Sequence, residues 1–181
     1  MPRRLREARD QSKTPILMQR RTFLRLSIVG AAVLGAGAIA LRLTGRASPE
    51  TARNDARMVL RAVIPALLAG VLPPQPEARD VARQQALDRT MAAIDGLPAA
   101  TREEIGQLFG LLASHPGRWL AGVDWESATP EQVAVFLQRW RTSSFDLFVV
   151  GYQAMHDLVL GSWYADPSTW AAIGYPGPAQ L

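Results

Sequence analysis

From Ser48 onward, apolar and polar residues alternate with the spacing that is typical of amphipathic α-helices. The first such segment has Arg53, Arg57 and Arg61 on one face and Ala56, Leu60, Val63 and Leu67 on the other. Ser48 followed by Pro49 predicts the helix start, because serine caps free backbone N–H groups and proline suits the first helical position. Pro65 falls inside the apolar pattern and predicts a kink or a broken turn, and the Pro73–Pro76 stretch ends the element.

Two further segments have the same spacing. A second helix is expected from about Ala78 to Asp95, and the Gly96–Pro98 stretch stops it. The segment Thr101–Glu104 has the pattern of a capping box, in which threonine and glutamate each satisfy a free backbone donor, and it predicts the start of a third helix. The Ser114–Gly117 stretch ends that helix. The inward-facing residues of the two helices are Leu87, Met91, Ile94, Ile105, Leu108, Phe109 and Leu112.

The segment Arg118–Ala128 lacks this periodicity and is expected to be irregular. Thr129–Gln132 is a second predicted capping box, with proline at the first helical position. Ser143 or Ser144 is expected to cap the last long helix. The apolar stripe of that helix is Phe145, Phe148, Val149, Tyr152, Val159 and Trp163. No segment has a sustained period of two bounded by hairpin signals, so the predicted fold is all-α, an irregular bundle of about five helices.

The C-terminal stretch from Gly161 to Pro178 differs from the rest of the chain. Its four large aromatic residues fall within thirteen positions that proline and glycine interrupt. Asp166-Pro167 predicts at most two helical turns, after which the prolines keep the tail extended. Two interpretations remain open: the tail covers the bundle, or it contacts a partner protein, since interfaces favour aromatic side chains at their centres. In the second case the partner-binding residues are Trp163, Tyr164, Trp170, Tyr175 and Pro176.

Near the start of the chain, paired arginines precede an uncharged run of sixteen residues, Leu26 to Leu41. The pair Arg20-Arg21, together with Phe23-Leu24 and this run, resembles a twin-arginine export signal. The run is shorter and richer in glycine than the ~20 apolar residues of a membrane-spanning helix. We therefore expect residues 1–47 to be a signal peptide, cleaved near Ala40 or near Ala47, and residues 48–181 to be a single helical domain. The alternative is an N-terminal anchor that is not cleaved.

The basic charge of the chain is concentrated in that leader. The whole chain has a formal net charge of +4, whereas residues 1–47 hold nine arginines and Lys13 against Glu7 and Asp10, a net charge of +8. Residues 48–181 therefore carry −4, and no nucleic-acid partner is expected. The chain has no cysteine, which excludes disulfides, thiolate metal sites, iron–sulfur clusters and covalently attached c-type haem.

No combination of residues in the sequence is typical of an active site. His115 precedes a proline at a helix end, and His156 lies next to Asp157, where a satisfied, half-buried histidine is the favoured interpretation. Neither a Gly-x-Gly-x-x-Gly fingerprint, nor a phosphate loop, nor a Gly-x-Ser-x-Gly elbow occurs. Glu103-Glu104 is typical of negative charge at a helix start. We therefore expect no catalysis, no metal and no cofactor in this chain.

Several short motifs together resemble those of a known family. Val63-Ile64-Pro65, Gly151-Tyr152, Trp163-Tyr164 and the tail Ile173–Pro178 are similar to the small subunit of membrane-associated gluconate 2-dehydrogenase, of the gluconate 2-dehydrogenase subunit 3 family. The resemblance implies a non-catalytic accessory subunit that binds, stabilises and co-exports a large flavin-dependent sugar or alcohol dehydrogenase of the glucose–methanol–choline type. It also implies FAD in that partner, a cytochrome c subunit as a further partner, and the twin-arginine translocase as a partner during export.

The same resemblance implies a location in the periplasm, with attachment to the inner membrane if the signal is not cleaved. The alternative function is a free-standing periplasmic helical protein that binds a small ligand between its helices. The two functions differ in their expected partner, a yellow flavoprotein in the first case and a small molecule in the second.

Overall fold

The computed structural model describes residues 48–177, which form helices and contain no β-strand. The elements are α1 (Pro49–Leu67), α2 (Pro76–Asp95), α3 (Ala99–Ala113), α4 (His115–Ala121), α5 (Pro130–Arg141), α6 (Asp146–Tyr164) and a 3₁₀ helix (Pro167–Ile173). The all-α prediction is therefore confirmed. Within this range every helix falls short of the length and apolar character that a membrane crossing requires. The expected export signal lies outside the described residues, as do residues 178–181.

Helix α1 is the centre of the bundle, because it packs against α2, α3, α5 and α6. Ser48 caps its start, with the Thr51 N–H donating to Ser48 Oγ at 3.1 Å, and Pro49 occupies the first turn. Its buried residues are Ala56, Val59, Leu60, Val63 and Ile64. The helix remains regular through Pro65 and ends two residues later, at Leu67, so the turn is not broken there.

Helix α5 begins at the predicted capping box. The Thr129 N–H donates to Gln132 Oε1 at 2.9 Å, and the Gln132 N–H donates to Thr129 Oγ1 at 3.4 Å. The buried residues of α5 are Val133, Phe136, Leu137 and Trp140. Phe136 contacts the rings of both Trp125 and Trp140, with ring centroids 5.2 and 4.7 Å apart, so α5 forms the aromatic part of the core.

Two helix starts differ from the sequence prediction. Helix α3 begins at Ala99, with Pro98 at its cap position, so Thr101 lies inside the helix and caps nothing. The segment after Ser114 is also helical in its first part, since α4 occupies His115–Ala121. Ser114 both ends α3 and starts α4, where its Oγ accepts from the Gly117 N–H at 3.2 Å. The described residues therefore contain six α-helices, one more than predicted.

The start of α6 corrects a third prediction. Neither Ser143 nor Ser144 is the cap residue; the cap position is Phe145, whose N–H donates to Ser143 Oγ at 3.1 Å. The Phe145 side chain is 71% exposed and so does not belong to the buried stripe. It contacts only the edge of that stripe, through Phe148 at a centroid distance of 5.9 Å. The stripe itself consists of Met155, Val159 and Trp163, with Phe148 and Tyr152 partly buried beside them.

Candidate functional site

The aromatic tail folds back onto the end of α6. Asp166 caps the 3₁₀ helix by accepting from the Ser168 N–H at 2.8 Å, which confirms the predicted short helix after Asp166-Pro167. The Trp170 Nε1–H donates to the Tyr164 carbonyl at 2.8 Å, and Tyr175 meets the Trp170 ring edge-on at a centroid distance of 5.2 Å. Gly177 also lies against the Trp170 ring, so the described tail is held by Trp170.

The five residues predicted to bind a partner lie at different depths. Trp163 is 5% exposed and belongs to the core, as the apolar stripe predicted, so its side chain offers little surface to a partner. Tyr164 and Trp170 are half-buried. Tyr175 is 47% exposed, and Pro176 is exposed beside it. The structure therefore brings together an anchoring part, Trp163 to Trp170, and an exposed part, Tyr175 and Pro176.

A shallow groove of about 450 Å³ lies beside the tail, between α2 and the 3₁₀ helix. Val81 and Ala172 line it, and both are exposed. Trp163 lines it too, and its buried indole Nε1–H has no acceptor in the described part of the chain. Buried donors without an acceptor are rare in native proteins. The groove therefore has an apolar rim, while the unsatisfied donor of Trp163 is itself closed to solvent.

An ion pair joins the tail to the bundle. Arg89 on α2 pairs with Asp166, the residue that caps the 3₁₀ helix. The hydrogen bond from the Ser168 backbone N–H holds the pKa of Asp166 below its ordinary value, and the Ser168 side chain and Arg89 act in the same direction. The cap and the ion pair therefore both depend on the ionised carboxylate.

The largest exposed side chain belongs to a residue for which the sequence predicted no role. Trp119 on α4 is 82% exposed, and Leu120 next to it is also exposed. In this seven-residue helix only Gly117 and Ala121 are buried. The segment had no apolar periodicity, so the sequence offered no sign of which side of Trp119 faces solvent.

Neither of the two histidines is fully buried, and their contacts are as follows. His115 is exposed at the start of α4. His156 is half-buried, with its Nδ1 3.0 Å from Asp157 Oδ1 and its ring 5.6 Å from that of Tyr152. Within residues 48–177, no group of three or more histidine, aspartate or glutamate side chains is arranged to hold a metal ion.

A larger cleft of about 1060 Å³ lies on another side of the bundle. It is formed by the first half of α1, the end of α2 and much of α3, and we refer to it as the α1–α3 cleft. Ala56, Met91 and Phe109, which line it, are buried core residues. Asp55 on α1 also lines it, and partial burial raises the pKa of this carboxyl group above its ordinary value.

Comparisons of the chain with protein-family models, with curated proteins and with solved structures found no match. The similarity of the Ile173–Pro178 tail to gluconate 2-dehydrogenase small subunits therefore stays a prediction from the sequence.

Proposed function

We propose that this chain is a non-catalytic accessory subunit that binds a large flavin-dependent sugar or alcohol dehydrogenase, stabilises it and accompanies it to the periplasm. The observation that carries the proposal is the Ile173–Pro178 tail, with its similarity to gluconate 2-dehydrogenase small subunits. The pair Arg20-Arg21 ahead of an uncharged run supports the export step, because the twin-arginine route transports proteins that are already folded. The flavoprotein binds the FAD in this proposal, and a cytochrome c subunit is a further partner.

The exposed end of the tail supports a docking role. Ile173 and Tyr175 are about half exposed, at 50% and 47%, although both are large apolar side chains. Ile173 ends the 3₁₀ helix and Tyr175 follows it by two residues, in a tail that Trp170 and the cap at Asp166 hold in place. A fixed apolar surface loses little conformational entropy on binding, which favours association. We name Ile173, Tyr175 and Pro176 the tail face.

The groove beside the tail face supports the same role. A partner segment lying along the groove would cover the apolar surface of its lining. Val81 and Ala172 at its rim would be covered at the same time. The tail face and the groove together form the proposed docking site for the flavoprotein.

Truncation of the tail face tests this docking site. The doubly substituted chain, Ile173→Ala with Tyr175→Ala, should bind its flavoprotein partner about a hundredfold more weakly, if the two truncations together cost about 3 kcal/mol. The free subunit should keep its helical circular dichroism and its thermal midpoint, because neither side chain belongs to the core. The measurement is a binding titration alongside a melting curve.

Trp119→Ala is the matched control, since Trp119 is an exposed aromatic residue on a different element, and it should leave the affinity unchanged. Deletion of the gene should leave the flavoprotein in the cytoplasm, unstable or poorly active. A flavoprotein that is exported and active without this chain would rule out the accessory role. If Trp119→Ala lowers the affinity for the flavoprotein equally, the docking site does not lie at the tail face.

The α1–α3 cleft favours a second candidate function, a periplasmic helical protein that binds a small ligand. Its volume of about 1060 Å³ is at the upper end of the range of roughly 300–1,000 Å³ that is typical of small-molecule sites. Apolar core residues meet polar ones in its lining, which is also typical of such sites. This function does not require a flavoprotein partner.

A further inference from the structure

Two glycines in the lining of the α1–α3 cleft leave α3 without side chains where it faces α1. Gly106 and Gly110 are four residues apart and share one helical face. A Cβ atom added to Gly106 would lie 3.5 Å from Ala52 Cβ, and one added to Gly110 would lie 3.7 Å from Asp55 Oδ2. The Asp55 carboxylate therefore lies beside the bare backbone of α3.

The charged groups at the mouth of the cleft are largely satisfied. Arg53 forms an ion pair with Asp95. Arg102 donates from Nη1 to the Asp95 backbone carbonyl at 3.1 Å. Glu50 is exposed in the first turn of α1, where the helix N-terminus favours negative charge.

Asp55 differs from these groups. Its carboxylate has neither a hydrogen bond nor an ion pair with any described residue, although it is only partly exposed. Removing a carboxylate from water without a partner is unfavourable, and a cation placed beside it offsets that cost. Apolar residues that are partly exposed, Ala52, Ile105 and Leu111, line the same cleft.

We propose that the α1–α3 cleft binds a small amphipathic amine, with its ammonium group beside Asp55 and its apolar body on Ala52, Ile105 and Leu111. An ammonium group donates charge-assisted hydrogen bonds to a carboxylate, whereas an alcohol of the same length forms weaker ones and an anion is repelled. The pKa of Asp55, raised by burial, agrees with a carboxyl group that lacks a counter-charge.

This inference deepens the second candidate function by naming the chemical class of the ligand. It does not depend on the accessory role, because the tail face and the groove beside it involve other residues. A chain that docks a flavoprotein through its tail is equally able to bind an amine in the cleft.

The first experiment needs no variant. Hexylamine, 1-hexanol and hexanoate have the same alkyl chain and differ in the charge of the head group at neutral pH. Each is titrated into the full chain, with binding followed by calorimetry and by the chemical shifts of α1 and α3 residues. Hexylamine should bind about tenfold more tightly than hexanol, and hexanoate should bind most weakly. Equal affinity for the amine and the alcohol would overturn the proposal.

The second experiment tests whether the carboxylate of Asp55 is the group that contacts the ammonium group of the ligand. Asp55→Asn should remove the preference for hexylamine over hexanol, chiefly by weakening the binding of hexylamine. Asp88→Asn is the matched control, because Asp88 is an exposed acid that does not line the cleft, and it should keep the preference. A preference that survives in Asp55→Asn would overturn the assignment to this carboxylate.

The outcomes also distinguish ligand binding in the cleft from selectivity of the cleft for amines. Binding of all three compounds with similar affinity would leave a ligand-binding cleft but refute its selectivity for amines. Binding of none of them would refute the amine site and remove the support for the second candidate function. Neither outcome bears on the accessory role, which the tail-face variants test separately.

Discussion

Gly151 lies on α6 where this helix meets Trp140 of α5. A Cβ atom added at this position would be 2.6 Å from Trp140 Cζ3 and 3.1 Å from Cε3, which is closer than carbon atoms pack. Gly161 lies on the same helix ten residues later, and nothing lies within 4 Å of the Cβ that it would carry. The two glycines therefore have different roles: one permits a close helix contact, and the other lowers helix stability.

The same substitution should consequently have opposite effects at the two positions. Gly151→Ala should lower the free energy of unfolding by about 1–3 kcal/mol, because the added methyl group overpacks the contact with Trp140. Gly161→Ala should raise it by about 0.5–1 kcal/mol, because alanine loses less conformational freedom in a helix than glycine does. Urea unfolding followed by circular dichroism measures both values. A Gly151→Ala chain as stable as the original would show that the Trp140 ring moves aside at no cost.

Trp163 shows how far the candidate site could be predicted from the sequence. It lies four residues after Val159, which lies four residues after Met155, so the helical stripe alone predicted its burial. The proline and glycine that follow suggested instead an exposed aromatic tail. The hydrogen bond from Trp170 to the Tyr164 carbonyl, which turns the tail back, depends on tertiary geometry and has no sequence signal.

At the scale of the elements, helix existence was predictable and helix boundaries were less so. The capping box at Thr129 is real because Pro130 fixes the first helical position directly after it. The similar pattern at Thr101 is preceded by Ala99 and Ala100, and alanine is the strongest helix former, so the helix starts one turn earlier. Boundaries therefore depend on competition between neighbouring residues.

Helix α4 was missed for a different reason. It has seven residues, too few for an apolar stripe to repeat, and its Pro116 and Gly117 resemble a stop signal. Yet Ser114 with a proline two residues later is close to the pattern with which Ser48 and Pro49 start α1. Gly117 is required here, since an added Cβ atom would lie 1.7 Å from the Leu111 carbonyl oxygen. The same residues thus end α3 and begin α4.

The 3₁₀ helix of the tail should be sensitive to acid. The folded state holds the pKa of Asp166 below its ordinary value of 3.8, mainly through the Ser168 N–H. A lowered pKa contributes stability that is present above the ordinary value and is lost as the pH falls through the lowered one. Asp166→Asn, which removes the charge, should therefore melt earlier than the original chain at neutral pH. The two melting temperatures should begin to converge as the pH falls below 3.8. They should meet once the pH has passed the lowered pKa of Asp166 in the folded chain, where protonation removes the charge from the original chain as well.

Thermal melts at a series of pH values, followed by tryptophan fluorescence, measure this difference. Arg89→Gln should show a smaller effect in the same direction, because Arg89 is a lesser cause of the lowered pKa than Ser168 is. A difference in melting temperature between Asp166→Asn and the original chain that stays constant across the series would contradict the electrostatic explanation.

At the scale of the whole molecule, the charges divide the chain into two parts. The predicted leader, residues 1–47, carries +8, whereas residues 48–181 carry −4. The described bundle has a continuous apolar core, and the chain contains no cysteine, so its folding does not depend on an oxidising compartment. A chain that folds before transport suits a route that accepts folded cargo, and the twin-arginine motif predicts that route.

The export prediction can be tested on the arginine pair itself. In the full chain, Arg20→Lys with Arg21→Lys preserves the charge of the leader but removes the planar guanidinium groups, for which lysine is not an equivalent. We expect the precursor and its flavoprotein partner to accumulate in the cytoplasm, measured by cell fractionation and immunoblotting. The same substitution at a second adjacent arginine pair, Arg3 and Arg4, which lies outside the motif, is the control. Arg3→Lys with Arg4→Lys should leave export intact. If periplasmic protein is undiminished in the first variant, export does not use the twin-arginine route, and the co-export part of the accessory role fails while docking through the tail face stays open to its own test.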